Sequence, residues 1–104
     1  MARRDYFHEV ATYFKASKVV TDPISVRRVP LKDGLDGLCE KKKDRFVIKI
    51  SKKLSENYSI DVLIHEIAHA VSWDKDADIH GPNWGKAYSK VYRMYLRKFL
   101  DNDN

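Results

Sequence analysis

His65-Glu66-Ile67-Ala68-His69, followed by His80-Gly81-Pro82-Asn83-Trp84, is the stretch on which the reading of this chain turns. On an α-helix, residues four apart share a face, so His65 and His69 can aim two imidazole nitrogens at one metal ion. Glu66 cannot join them as a ligand. It sits instead beside the metal's open side, where a water would be held. A carboxylate base next to an activated water is the equipment of a zinc hydrolase. A histidine on a helix is ordinarily a surface or core residue. Here two stand at ligand spacing with a Glu between them, and three of the chain's four histidines fall within residues 65–80. The expected cofactor is therefore Zn2+, with His65 and His69 as ligands and Glu66 as the catalytic base.

Catalytic zinc takes three protein ligands and keeps a fourth position open. No Glu follows Glu66 in the chain, which excludes a glutamate ligand from a later helix. The longer pattern with a Gly and a further His beyond the second histidine meets Ser72 and Lys75 at those positions. His80 is the best remaining candidate, because it follows a loop that can fold back and Gly81-Pro82 fixes it just ahead of the last helix. Asp74, Asp76 and Asp78 stay open as ligands, or as groups that orient a ligand histidine.

Outward from the motif, Ser59 is suited to cap the zinc helix, with Asp61 in its first turn. Ile64, Ile67, Ala68 and Val71 form its core stripe, and the polar run Asp74–Asp78 ends it near Trp73. Pro82 suits the first turn of a final helix, along which Trp84, Ala87, Tyr88, Val91, Tyr95 and Phe99 form an apolar, core-type stripe. Tyr58, Tyr88 and Tyr92 are within reach of an oxyanion role, but read as packing residues. At the other end, Phe7, Val10, Ala11 and Phe14 mark an amphipathic helix over residues 5–17. Asp22-Pro23 breaks the chain ahead of an extended segment, Ile24–Val29, closed by Pro30. Asp33-Gly34 and Asp36-Gly37 read as turns. Leu38–Lys41 and Arg45–Ile50 read as strands joined at Lys42-Lys43-Asp44, with Phe46, Ile48 and Ile50 on the buried face. The sum is an α+β chain with a small antiparallel sheet of about three strands, one domain over residues 1–100 and a frayed tail at 101–104.

A chain of 104 residues, 43% hydrophobic and 34% charged, fits one ordinary globular domain and not a disordered segment. No window approaches the roughly 18 apolar residues of a membrane span, and the N-terminus lacks a signal peptide's apolar run. Cys39 is the one cysteine, so no internal disulfide forms, and it reads as a half-buried strand residue. A cytoplasmic protein is expected. The net charge of +5 comes with basic clusters at Arg3-Arg4, Arg27-Arg28, Lys41-Lys42-Lys43 with Arg45, and Arg93-Arg97-Lys98. Such clusters suit phosphates. The Lys41, Lys42, Lys43 and Arg45 patch is the candidate DNA contact, with a solvated hairpin tip as the plain alternative.

With His65-Glu-Ile-Ala-His-Ala70 and His80-Gly-Pro-Asn-Trp84, the chain resembles the SprT-like metalloprotease family, which includes bacterial SprT proteins and eukaryotic Spartan. The preceding order, a short sheet ending in an Ile-rich strand and then the zinc helix, is similar as well. The resemblance implies a zincin-like fold and a zinc site of His65, His69 and His80 with Glu66 as base. It also implies protein or peptide substrates, DNA-associated ones among them, and activity gated by DNA. Two features depart from the family pattern. The spacer between His69 and His80 is short for Spartan-type members, and Cys39 alone cannot build the zinc-ribbon tail many members carry. So compact a version fits a bacterial or phage-infected host cell. The alternative is a zinc-containing module that binds nucleic acid or protein with little protease activity. The intact Glu66 argues against it, since a structural zinc needs no base.

Overall fold

A computed structural model describes residues 5–100; Arg3-Arg4 and the tail at 101–104 lie outside them. The elements run α1 (Tyr6–Ser17), β1 (Ile24–Val29), β2 (Gly37–Lys41), β3 (Phe46–Ser51), α2 (Glu56–Val71) and α3 (Pro82–Tyr95), continued by a π-helical turn, Leu96–Leu100. The chain is α+β, as its periodicities predict.

β3 is the middle strand, in the order β1-β3-β2. Its Phe46, Ile48 and Ile50 are all buried, as the alternation requires. β2 pairs with it antiparallel, and the hairpin closes where Lys42 N donates to Arg45 O at 2.8 Å. β1, however, runs parallel to β3, with Ile24 opposite Phe46 and Val29 opposite Ser51. The expected antiparallel sheet is thus a mixed one. Alternation dictates which face of a strand is buried and is silent about the direction of its neighbour. The segment 30–36 carries the chain past the place β3 later takes. The turn at Asp33-Gly34 is present, with Gly34 at φ 84° and Leu35 N donating to Lys32 O at 3.0 Å. Gly37 belongs to no turn; it is the first residue of β2.

α2 starts earlier than Ser59. Ser55 is its cap, accepting from Tyr58 N at 3.2 Å, while Ser59 is fully buried and donates to Glu56 O at 2.7 Å. A serine inside a helix satisfies itself on the preceding turn, so local chemistry alone does not choose between the two. The Glu56 carboxylate then accepts from Tyr6 N at 3.0 Å and Phe7 N at 3.3 Å, pinning the first turn of α1 to the first turn of α2. α1 buries Phe7, Val10, Ala11 and Phe14, as expected.

The core lies between α2 and the sheet. Ile48, Ile50, Leu63, Ile64 and Ile67 have no exposed surface, and each contributes about 1.5–3 kcal/mol by leaving water. α3 closes the other side of α2 through Ala87 and Val91. The result is a rigid central helix, and the functional side chains sit on it. Among the described residues, no helix is long and apolar enough to cross a membrane.

Candidate metal centre and its cleft

Ile64, Ile67 and Ala68 point into the core, so the residues one step round the helix, His65 and His69, emerge at its flank. Their Nε2 atoms are 3.1 Å apart, and His80 Nε2 lies 3.2 Å from that of His65. All three ligand atoms fall within 4.8 Å of one another. Tetrahedral zinc with bonds of about 2.05 Å separates its nitrogen ligands by about 3.3 Å, so the donor set and its spacing fit that ion. Burial, and then the neighbouring His65 and His80, push the His69 imidazole down to about 4. Burial followed by His80 lowers His65 too. The neutral ring is the metal-binding form, and the fold holds it ready.

His80 comes from a loop, and Asp76 fastens that loop. Its Oδ2 accepts from Trp84 N at 2.9 Å, and its Oδ1 accepts from Asn83 N at 3.1 Å and Asn83 Nδ2 at 2.9 Å. Asp76 thereby caps α3 from outside, where the helix's own cap residue, Gly81, has no side chain to do so. Partial desolvation raises the Asp76 carboxyl, but these amide donors outweigh it and hold it below its usual range. Gly81 must stay bare, because a Cβ there would come within 2.7 Å of the Asp76 side chain. Of the aspartates left open by the sequence, Asp76 is therefore committed to the helix end, and none of Asp74, Asp76 and Asp78 belongs to the ligand cluster.

The indole of Trp84 backs the cluster, with ring centroids 5.0 Å from His65, 5.6 Å from His69 and 4.7 Å from His80. Glu66 is only 6% exposed, and burial pushes its carboxyl up to about 7. It borders two connected recesses. One, of about 560 Å³, lies between β2 (Gly37, Cys39) with Leu35 just ahead of it and the loop Trp73–His80. The other, of about 360 Å³, is bounded by Asp36, Tyr58, Asp61 and Tyr88. Both share Gly37, His65 and Glu66, so one cleft passes across the histidine cluster along the edge of β2.

The fold thus brings together His65, Glu66, His69 and His80. It leaves Lys41, Lys42, Lys43 and Arg45 elsewhere: none lines the cleft. Lys41 pairs with Asp22 at 3.5 Å and rides 4.8 Å over the Phe46 ring. Cys39 is half-buried in its strand, and burial, then Glu66 and Glu40, push its thiol up to about 12. Tyr58 is exposed and its OH donates to Asp36 at 2.9 Å, while Tyr92, partly exposed, stacks on Tyr95 with ring centroids 6.4 Å apart. Sequence reasoning missed the capping role of Asp76 and the placement of Trp84. The first carried a signal, an Asp seven residues ahead of Asn83 with a bare Gly between. Trp84 looked like one more member of a core stripe.

The sequence profile of the SprT-like family matches residues 4–101. The chain belongs to the SprT-like family. Among solved structures, this SprT-like chain is similar to the metallopeptidase zymogen abylysin of Pyrococcus abyssi. The TM-score is 0.56 at 18% identity, over 89% of this chain and 94% of that one. At that identity the likeness is one of fold. No curated protein sequence matches the chain.

Proposed function

We propose that this SprT-like protein is a zinc-dependent metalloendopeptidase of the cytoplasm. The observation that carries the proposal is the convergence of three histidine nitrogens, with Glu66 beside them, in an open cleft along a sheet edge. His65, His69 and His80 would hold the ion. Zinc, when bound, supplies Lewis acidity that polarises a peptide carbonyl and acidifies water. Glu66 takes a proton from water on its carboxylate and returns it to the departing amine. In the metal-free chain burial raises the affinity of that carboxylate for a proton.

β2 gives the substrate its place. Ser51 N donates to Asp36 O and Lys42 N to Arg45 O, so even-numbered residues of this strand turn their backbone groups to β3. Gly37 and Cys39, between them, turn theirs to the outer edge. An extended peptide adds there as the next strand, with backbone hydrogen bonds that demand little of its sequence. The loop with Ile79, 76% exposed, forms the opposite wall. Membership of the family and the fold shared with a metallopeptidase zymogen support the class of activity.

A nucleic-acid contact is the second reading, favoured by α3. From Pro82 to Leu100 there is no acidic residue, and Lys86, Lys90, Arg93 and Arg97 recur at helical spacing, all exposed. This stripe is a better phosphate track than the hairpin tip, where Lys41 is already paired and Asp44 intervenes. DNA-associated proteins are the substrates that such a surface would gather. The test of both readings is cleavage of a basic, loosely folded protein by zinc-loaded wild type and Glu66→Gln, with and without single-stranded DNA. Cleavage by wild type alone establishes the protease, and stimulation by DNA establishes the gating. Inactivity of both proteins with zinc bound would leave a binding module.

A further inference from the structure

We infer that Gly37 is a positioning residue: its bare Cα face sets where the Glu66 carboxylate stands relative to the substrate-docking edge of β2. The inference rests on the peptidase reading and extends it to a residue outside the zinc motif.

Gly37 has no positive φ to explain it, since Gly34 alone among the described glycines has one. The need for glycine is one of space. A Cβ at residue 37 would lie 2.6 Å from Val62 Cγ1, 3.2 Å from Lys49 O and 3.3 Å from Glu66 Oε2. Val62 is a stiff, β-branched side chain one turn before Glu66 on α2, and it cannot swing aside as a long side chain would. A methyl group would therefore force β2 and α2 apart, or turn the Glu66 carboxylate out of its seat. The missing side chain lets strand and helix close to a separation at which even one added carbon would crowd that carboxylate, at 3.3 Å.

The same residue presents its N–H and C=O to the outer edge of β2, opposite to the bonds made by Asp36 and Leu38. One position thus borders the base on one side and meets an incoming peptide on the other. The distance between attacking water and scissile carbonyl is set through it. Cys39, two residues on, shares the face but carries a side chain, so the close approach is confined to Gly37.

The test uses the zinc-loaded full chain as wild type, Gly37→Ala, Val62→Ala and the double variant. Zinc stoichiometry and melting temperature establish that each is folded and loaded. Cobalt substitution reads the ligand field, which Gly37→Ala should leave unchanged because no histidine moves. The expected result is a kcat about tenfold or more lower in Gly37→Ala, with KM within about twofold, as for a small misplacement of a reacting group. The double variant removes the 2.6 Å clash but keeps the methyl against Glu66, so its kcat should stay well below that of Val62→Ala. Wild-type kcat in Gly37→Ala, full recovery in the double variant, or a change in KM alone would each overturn the assignment. A second readout stands apart from turnover. The 13C resonance of the Glu66 carboxyl should move in Gly37→Ala, and an unmoved resonance refutes the contact even if no substrate is ever cleaved. A wild type that cleaves nothing, with the resonance moved, would refute the peptidase reading and leave the contact standing.

Discussion

Glu66→Gln in the metal-free protein should raise stability at alkaline pH and do much less at acid pH. The carboxyl ordinarily titrates near 4.5 and is pushed up to about 7 by burial. Below 4.5 it is protonated in both folded and unfolded chains and costs nothing. As pH rises from there, the unfolded chain releases the proton while the folded chain keeps it, and stability falls. The loss is complete above about 7. At about 1.4 kcal/mol per unit the ceiling is about 3 kcal/mol. Screening by water in the open cleft reduces this to about 1–2 kcal/mol. For a domain of this size that is a melting temperature higher by about 5–10 °C in the variant at pH 8. The gap should narrow clearly at pH 5. Both proteins are stripped with a chelator and melted by circular dichroism at the two pH values. Titration of His65 and His69 is common to both and cancels in the difference. A gap of equal size at the two pH values, or a wild type more stable at pH 8, would refute the claim that burial raises the proton affinity of Glu66.

His80→Ala should lose most of its zinc, measured by metal analysis after gel filtration; full stoichiometry would point to an aspartate of the loop as ligand. Asp76→Ala keeps all three histidines but releases the loop, so zinc affinity should fall by about tenfold or more, as for loss of an outer support, while Asp78→Ala changes it little; competition with a chromophoric chelator reads both. Replacing Lys86, Lys90, Arg93 and Arg97 with Gln should weaken single-stranded DNA binding and flatten its salt dependence. The corresponding change at Lys42 and Lys43 should do far less, and the reverse order in a fluorescence-anisotropy titration would return the contact to the hairpin tip.

His65, Glu66, His69 and His80 are all legible in the sequence, because a helix converts spacing into direction and the Gly-Pro pair fixes where the next helix begins. α1 is legible for the same reason. The pairing of β1 is not: Ile24 and Val26 announce a half-buried strand, but nothing local states whether its neighbour runs with or against it. Ser55 and Ser59 offer equal cap chemistry, and nothing local chooses between them. Gly37 misleads for a related reason. Asp-Gly is a turn signal on average, whereas this glycine answers to the van der Waals surface of a helix 25 residues further along the chain.

Trp84 rests its ring on all three histidines, and that proximity has an optical consequence. The chain has two tryptophans; the other, Trp73, packs on Phe46 at 5.5 Å and lines the rim of the same cleft. The emission of Trp84 is exposed to whatever the imidazoles do, whether they take up protons, close round an ion or lose it. A Trp73→Phe variant would leave an intrinsic fluorophore seated at the metal centre. Occupancy could then be followed in real time by light, without dye, label or substrate.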